Sequence, residues 1–168
     1  HIVNFFKSKN RKVSYDTLSN YLGYIEEAFL AYKTERYNIK GKDVVAGNCK
    51  YYLNDLSFKN FLYPGFAYGV GYLLENAVYL ELRRLGYIVY TGSFRDKEVD
   101  FVAMKDDRVI YLQATYMLET AQTMEREYAP LLTIGDNYEK YVVSMDEVQF
   151  PSNEGVRHIQ AWNLKEIL

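Results

Sequence analysis

The sequence predicts an α+β protein in which part of a winged helix-turn-helix precedes a domain of element order αβββαβ with a mixed central sheet. Apolar residues recur at helical spacing in two well-separated stretches, 14–29 and 68–85, as helices with one buried face require. Between residues 87 and 116, three short alternating stretches are separated by charged turns, a pattern typical of strands. Helix, three strands, helix and strand in this order indicate the α+β class.

Charge is distributed unevenly along the chain. Residues 1–50 contain nine Lys or Arg and five Asp or Glu, whereas residues 51–168 contain eleven and seventeen, so that net charges of +4 and −6 underlie the overall −2. The asymmetry indicates two units, of which the first suits a polyanionic partner. We therefore predict a winged helix-turn-helix over 1–55 and a second domain over 56–168.

The composition narrows the class of protein. Hydrophobic residues make up 49% of the 168 positions, enough for a packed core. A lone cysteine, Cys49, cannot form an internal disulfide, and a reducing, cytoplasmic setting is the simplest expectation. No apolar run approaches the roughly 18 residues that cross a membrane, and no signal peptide is visible, so no membrane partner is expected. Because the chain starts at His1 without a methionine, we expect further sequence upstream.

The first unit is predicted from two helical stretches and a hairpin. Residues 1–9 have helical spacing, and after a short basic turn Ser14 is placed to cap a second helix. Residues 31–39 and 50–54 are predicted as the strands of a hairpin that turns at 40–43. Helix, turn, helix and hairpin form the second half of a winged helix-turn-helix, whose first helix we expect upstream.

This first unit offers two sets of side chains to DNA. Cations at its turns can meet phosphates, and polar side chains at the start of the second helix would face a groove. The candidates are Arg11, Lys12, Lys40 and Lys42 for phosphates, and Tyr15, Ser19 and Asn20 for the groove. Two alternatives stay open, because winged helices also dock proteins and a surplus of four positive charges also fits a purely structural unit.

The second unit begins with an aromatic connector, 57–65, and the clearest helix of the chain, 68–85, which Gly86 ends as a C-cap. Three strands follow, then a helix that Pro130 should end or kink, two further strands and a terminal turn. In chain order, these later elements are predicted at 87–94, 98–104, 108–116, 119–132, 140–145, 157–161 and 164–168.

Strand alternation places a group of polar side chains on one part of the predicted sheet. Asp100 should share a face with Glu98 and Val102, and strand pairing should set Gln113 beside it. Glu75 can approach from the preceding helix. Such oxygen ligands hold a hard cation such as Mg²⁺ or Mn²⁺, which polarises a phosphate and activates a water molecule. Glu75, Asp100 and Gln113 are thus the candidate metal ligands.

Gln113 and Thr115 make this group of side chains less suited to metal-dependent catalysis. Gln113 can coordinate a cation through its amide oxygen but brings no negative charge, and Thr115 brings neither charge nor a useful proton-transfer group. A divalent cation should therefore bind with low affinity. A lysine beside the metal would orient the attacking water, and Lys97 or Lys105 in a neighbouring turn is the alternative source of that charge.

Eight segments, in their order and spacing, carry a resemblance to a known family. They are 13–22, 50–55, 74–82, 97–102, 110–113, 126–132, 136–138 and 141–147. Together they resemble the C-terminal part of bacterial and archaeal AAA-type ATPases, in which a P-loop ATPase is followed by a winged helix and a PD-(D/E)XK-like domain. The resemblance covers almost the whole chain, and the nuclease-like core lies within 68–116.

The resemblance implies a restriction-endonuclease-like second domain. Glu75 matches the helix glutamate of that fold and Asp100 the aspartate of its second core strand. Gln113 stands at the position of its Glu or Asp, and Thr115 at that of its lysine. This degenerate catalytic set is expected to be inactive. ATP would bind only in the N-terminal ATPase domain, because no G-x-x-x-x-G-K-[ST] run occurs here.

Three functions follow as hypotheses. The first is a DNA-binding or regulatory C-terminal module of an AAA-type ATPase, with DNA and the N-terminal ATPase domain of the same chain as partners. The second is an active DNA nuclease that depends on Mg²⁺ or Mn²⁺. The third is a protein-docking module, which closes an ATPase homo-oligomer or binds a partner through the aromatic segment 58–72.

Overall fold

The structure, a computed structural model, describes residues 2–62, 64–65 and 69–168. Its α-helices are α1 (Ile2–Ser8), α2 (Tyr15–Glu27), α3 (Ser57–Leu62), α4 (Val70–Arg84), α5 (Ala121–Leu132) and α6 (Leu164–Ile167). Its strands are β1 (Ala31–Asn38), β2 (Asp43–Leu53), β3 (Ile88–Phe94), β4 (Lys97–Lys105), β5 (Arg108–Ala114), β6 (Glu139–Ser144) and β7 (Val156–Gln160). A 3₁₀ turn, Ala161–Asn163, connects β7 to α6.

The strands form one mixed sheet in the order β2-β1-β3-β4-β5-β6-β7. The pairs β1–β2, β3–β4 and β4–β5 are antiparallel, and β1–β3, β5–β6 and β6–β7 are parallel. The helix α4 packs on a core that contains Leu82 and Phe101, and α5 packs on a second core that contains Tyr111 and Leu131. The predicted α+β class with a mixed central sheet is confirmed. None of the described helices is long and apolar enough to cross a bilayer.

The helices and the hairpin predicted for the first unit are present. The helix predicted over 1–9 is observed as α1, and His1 lies outside the described residues. The helix α2 follows Ser14, whose hydroxyl accepts a hydrogen bond from the Thr17 backbone N–H at 3.0 Å, as the predicted N-cap requires. The strands β1 and β2 pair antiparallel, and β2 begins at Asp43 rather than at residue 50.

The hairpin differs from a wing that stands apart, because it extends the central sheet. The strand β1 pairs in parallel with β3, with Arg36 opposite Thr91. Without β1, this side of β3 would present a row of unpaired backbone groups. Thr34 of β1, two residues before this paired stretch, is 1% exposed. A boundary at residue 55 therefore falls between β2 and α3, while strands on both sides of it share one sheet.

The remaining elements lie within a few residues of their predicted bounds. The helix α4 begins at Val70, whereas Tyr68, its predicted start, lies outside the described residues. Gly86 adopts φ 87°, the left-handed backbone expected of a residue that ends a helix. The predicted connector over 57–65 contains α3 in its described part. The helix α5 continues through Pro130 and ends at Leu132, which is the bound predicted for it.

A β-bulge in β4 changes which side chains share a face. Between the pairs that Val99 and Val102 make with β3, β4 contains one residue more than its partner. The alternation of side chains is interrupted there, so Val99 and Val102 both point into the core beneath α5, while Phe101 packs beneath α4. Asp100 lies within the bulge and turns toward α4. The prediction that it shares a face with Val102 is therefore wrong.

Gly92 lies opposite this bulge and has no space for a side chain. A Cβ there would meet Val102 Cγ2 and Val99 Cβ at 2.9 Å, and Ile39 Cδ1 at 3.0 Å. We expect Gly92→Ala to lower the free energy of unfolding by about 2 kcal/mol, because overpacking forces the surroundings to shift. Urea denaturation measures the change. Gly135→Ala is the control, since nothing lies within 4 Å of its new Cβ, and equal losses in the two variants would refute the close packing.

A buried hydrogen-bonded chain joins β6, β7 and the loop after β6. Ser144 Oγ donates to Asp146 Oδ2 at 2.6 Å and lies 2.8 Å from His158 Nε2. The Phe150 backbone N–H donates to His158 Nδ1 at 3.2 Å, so Nδ1 is the acceptor of the ring and Nε2 donates to Ser144. Because the serine hydroxyl in turn donates to a carboxylate, this chain is a structural link rather than an activated nucleophile.

The buried His158 should make the free energy of unfolding decrease in acid. Burial lowers the pKa of His158, and Asp146 only partly opposes that shift. A base with a lowered pKa binds its proton more readily when unfolded, so its contribution to stability is complete above about 6.5 and is lost as the pH falls below it. We expect urea titrations to show this loss. His158→Gln removes the titrating ring, so parallel pH profiles of variant and wild type would contradict the prediction.

Candidate functional site

Four charged side chains converge between β2, α4 and β4. The ammonium of Lys50 on β2 lies 2.9 Å from Glu75 Oε1 on α4. It also lies 3.0 Å from Glu98 Oε1 and 3.7 Å from Asp100 Oδ1, both on β4. We call Lys50, Glu75, Glu98 and Asp100 the lysine–carboxylate cluster. It combines a residue of the predicted first unit with three of the second.

Irregularities in β2 and β4 direct the side chains of the lysine–carboxylate cluster toward one another. The pairing of β1 with β2 shifts register after Thr34, and Lys50 is the β2 residue opposite Thr34, at the end of the irregular stretch. On β4, the bulge turns Asp100 toward α4. Regular strands would have continued the alternation through both positions.

An amide side chain fixes α4 against β2. Asn76 Oδ1 accepts a hydrogen bond from the Leu53 backbone N–H, and Asn76 Nδ2 donates to the Leu53 carbonyl, both at 2.8 Å. Asn76 is 7% exposed, so these bonds are shielded from water. Because Glu75 precedes Asn76 and Lys50 lies three residues before Leu53, the same link holds Glu75 and Lys50 in reach of each other.

Each carboxylate of the cluster also accepts a hydrogen bond from outside it. The donors are Tyr52 Oη to Glu75 Oε1 (2.7 Å), Arg36 Nη2 to Glu98 Oε2 (2.7 Å) and the Ala114 backbone N–H to Asp100 Oδ2 (2.9 Å). These bonds fix the three carboxylates independently of Lys50. Hydrogen bonds to charged acceptors of this kind are stronger than those between neutral groups.

The cluster shifts the protonation of its members. Burial and then repulsion by Glu75 raise the pKa of Asp100 to about 7, although Lys50 and the Ala114 N–H oppose them. Burial lowers the pKa of Lys50, but attraction by Asp100 and Glu75 outweighs it, and the net direction is upward. Burial and Glu75 also raise the pKa of Tyr52. At neutral pH, Lys50 therefore stays an ammonium and Tyr52 stays a phenol.

The structure brings the predicted nuclease residues together only in part. Glu75 and Asp100 share Lys50 as a partner. Gln113 lies beside Asp100, as predicted, and its Oε1 accepts from the Asp100 backbone N–H at 3.3 Å. Thr115 is buried just past β5, and its backbone N–H donates to a carbonyl of β6. Among the described residues, the Thr115 side chain makes no hydrogen bond to the cluster.

The positive charge of this site comes from Lys50 and not from either lysine considered in the sequence. Lys105 donates to the Leu85 carbonyl at 3.0 Å, and Lys97 lies beside α5. Sequence reasoning missed Lys50 because it assigned the hairpin to a separate unit. The signal that could have identified it is its place at the start of 50–55, one of the segments that carry the family resemblance.

A divalent cation at this point would have to displace Lys50. The carboxylates of Glu75, Glu98 and Asp100 are hard oxygen ligands of the kind that Mg²⁺ and Mn²⁺ prefer, but they face the volume that the ammonium fills. Across the part of the chain that the structure describes, no group of three or more His, Cys, Asp or Glu has a metal-binding arrangement. In the structure, the three carboxylates are thus arranged around the ammonium of Lys50.

The DNA-binding candidates are all exposed, as contact with phosphates and grooves requires. They are Arg11 and Lys12 before α2, Tyr15, Ser19 and Asn20 on α2, and Lys40 and Lys42 at the β1–β2 turn. None of the four cations among them pairs with a carboxylate of the described residues. Their charges are therefore available to a polyanion.

Sequence comparisons find relatives in a bacterium and an archaeon. An uncharacterized protein of Haemophilus influenzae is 36% identical over 143 residues, which cover 85% of this chain and 35% of the relative. The uncharacterized protein MJ1544 of Methanocaldococcus jannaschii is 32% identical over 130 residues, which cover 75% of this chain and 28% of the relative. The chain thus spans about a third of the length of these curated relatives. No family model and no solved structure matches the chain.

Proposed function

We propose that this chain is the C-terminal DNA-binding or regulatory module of an AAA-type ATPase. Its nuclease-like core is closed, by which we mean that the ammonium of Lys50 occupies the volume that a catalytic cation would need. The observation that carries the proposal is the ammonium of Lys50 among the carboxylates of Glu75, Glu98 and Asp100. A metal-dependent nuclease would need that volume for its cation. The core is then a retained scaffold, and the exposed cations before α2 and at the β1–β2 turn contact DNA together with the polar side chains at the start of α2.

The chemistry of lysine supports an inactive core. A metal ion activates water by coordinating it and lowering its pKa. An ammonium whose own pKa is raised neither coordinates water nor accepts its proton. Gln113 adds no negative charge and its amide oxygen faces the Asp100 backbone, so the site does not regain a ligand from β5.

The link to an ATPase rests on the eight segments that resemble AAA-type proteins. The matched region makes up 35% and 28% of the two relatives, which leaves room in them for an ATPase domain. The DNA part rests on the exposed cations before α2 and at the β1–β2 turn, which form no salt bridge within the described part of the chain. These two parts are separable, since a regulatory module can act with or without DNA.

A gel-shift titration at low salt tests DNA binding. We expect duplex or single-stranded DNA to bind below about 0.1 mM, the weak end of the usual non-specific range, with an affinity that falls as salt is added. Lys42→Glu should weaken binding, whereas Lys165→Glu, which makes the same change of charge on α6, should affect it less. Absence of binding at that concentration, or equal effects of both variants, would overturn the DNA part.

A second candidate, an active nuclease, is favoured by the contacts of Lys50 with Glu75 and Asp100, because Lys50 then supplies the lysine that Thr115 lacks. Incubation with plasmid and Mn²⁺ separates the two functions. The closed core predicts no nicking by the wild type. Nicking that disappears in both Asp100→Ala and Lys50→Ala would establish the active nuclease instead, whereas nicking that persists in Asp100→Ala would point to a contaminating enzyme.

A further inference from the structure

Five exposed apolar side chains follow three neighbouring strands of the sheet. Tyr116 and Met117 come after β5, Met145 and Val148 after β6, and Trp162 after β7. Because β5, β6 and β7 pair in parallel, their carboxyl ends lie along one edge of the sheet. The loops touch there, since the Met145 backbone N–H donates to the Tyr116 carbonyl at 2.9 Å. We call these five residues the edge patch, and apolar side chains exposed together mark interaction surfaces.

The edge patch lies among carboxylates. The segments 115–120, 145–149 and 161–168, which contain it, have four Asp or Glu and one Lys or Arg. Of the four, Glu119, Glu147 and Glu166 are exposed and form no salt bridge within the described part of the chain. Such a surface repels a polyanion such as nucleic acid. It fits a protein surface that combines apolar side chains with positive charge.

A surface of that kind is present in the chain itself, at α1. Residues 2–12 contain four Lys or Arg and no Asp or Glu. None of these cations forms a salt bridge with another described residue. Phe5 lies among them and is 60% exposed, and in the described part of the chain no hydrogen bond joins α1 to a strand. In apolar character and in sign of charge, α1 complements the edge patch.

The two surfaces belong to different sides of the molecule. A short turn joins α1 to α2, and α2 packs beside β1. The strands β3, β4 and β5 separate β1 from β6, a distance of about 19 Å at the usual strand spacing. The edge patch remains exposed in the structure, so α1 of the same copy does not cover it. A contact between the two surfaces therefore joins two copies of the chain.

We propose that α1 of one copy docks on the edge patch of a second copy, so that Phe5 packs among its apolar side chains and the cations of residues 7–12 face its carboxylates. Because the two surfaces differ, this contact is heterologous: it repeats from copy to copy and closes only in a ring. It requires neither DNA nor an ATPase domain, and it therefore goes beyond the proposed function.

Sedimentation velocity of the whole chain over a concentration series tests the self-association. We expect the wild type to form species larger than a monomer. Raising the salt from about 0.05 to about 0.5 M should weaken their formation, because salt screens exposed charges. A wild type that stays monomeric up to about 1 mM, the dissociation constant of a very weak complex, would overturn the proposal. Association that salt leaves unchanged would also overturn it, since the charges would then have no part in the contact.

Three variants each remove part of one surface. Phe5→Ala changes α1, and Trp162→Ala changes the edge patch. Each should weaken association at least about tenfold, as the loss of an aromatic anchor does. Val148→Ser changes the edge patch in the loop after β6 and tests it without altering the 3₁₀ turn that contains Trp162. Tyr72→Ala, at an exposed aromatic on α4 outside both surfaces, is the control and should associate like the wild type.

A mixture of two variants identifies the heterologous contact. Phe5→Ala keeps its edge patch and Trp162→Ala keeps its α1, so an equimolar mixture should form a dimer and nothing larger, although neither variant associates alone. Failure of the mixture to dimerise would refute the pairing of α1 with the edge patch, and so would undiminished association of either variant alone. None of these measurements involves DNA or nicking, so their outcome is separate from that of the proposed function.

Discussion

Replacing Lys50 with alanine is expected to destabilise the fold by about 3 kcal/mol, the low end of the range for breaking a buried ion pair. The low end applies because Lys50 retains 31% and Glu98 40% side-chain exposure, so water relieves part of the lost attraction. The same change should give the protein an affinity for Mn²⁺, because the three carboxylates, which have no metal-binding arrangement around the ammonium, can then move together into the volume it leaves. Stability and metal affinity should thus change together at one position.

Urea denaturation with Mn²⁺ or with chelator measures both effects. A metal that binds only the folded state adds RT ln(1 + [L]/Kd) to the free energy of unfolding, so Mn²⁺ should stabilise Lys50→Ala and leave the wild type unchanged. Lys50→Arg keeps the positive charge and should show no response to Mn²⁺. Lys33→Ala removes an exposed lysine from the same hairpin and should change stability little.

The opposite result has a definite meaning. If Mn²⁺ stabilises the wild type as much as Lys50→Ala, the lysine does not exclude the metal, and both can occupy the site together. That outcome would overturn the closed core and favour the active nuclease, in which lysine and metal lie side by side. The response to Mn²⁺ therefore decides between the two candidate functions without depending on a substrate.

The sequence predicted those features of the fold that short segments determine. The N-cap at Ser14 depends on a hydroxyl and a backbone N–H three residues apart, and the strands from residue 87 to 114 depend on alternation between charged turns. The adjacency of Asp100 and Gln113 also followed, because a short turn between two strands fixes their pairing. Each of these features depends on interactions between residues that are close in sequence.

The features that were missed have distant causes. The hairpin joins the sheet because β3 offers an open edge, which lies more than fifty residues away in the sequence. The orientation of Val102 depends on a bulge that one extra residue in β4 creates. No residue type in β4 indicates that bulge in the sequence. The place of Lys50 in the site depends on both features. The pattern of Glu75, Asp100, Gln113 and Thr115 could show that the sequence departs from the nuclease motif, but not that Lys50 would lie among the carboxylates.

Asn76→Asp is expected to lower the free energy of unfolding by about 3 kcal/mol at neutral pH, because a buried donor is replaced by a charge. Asn76 Nδ2 donates to the Leu53 carbonyl, and an ionised aspartate there would place two acceptors against each other. The loss should shrink on acidification. A protonated carboxyl can accept from the Leu53 N–H and donate to its carbonyl, so folding favours the protonated form and raises the pKa of the new side chain.

The direction of this pH dependence distinguishes loss of the Asn76–Leu53 hydrogen bonds from a simple loss of packing. A group with a raised pKa contributes most when protonated, and its contribution disappears as the pH rises through that pKa. Asn76→Ala removes both hydrogen bonds at every pH, so its loss of about 2 kcal/mol should stay constant. Differences from the wild type, measured by urea titration at each pH, cancel the titration of Asp100 and His158. A pH-independent loss in Asn76→Asp would show that the amide does not donate to β2, and the positioning of Glu75 against Lys50 would then need another cause.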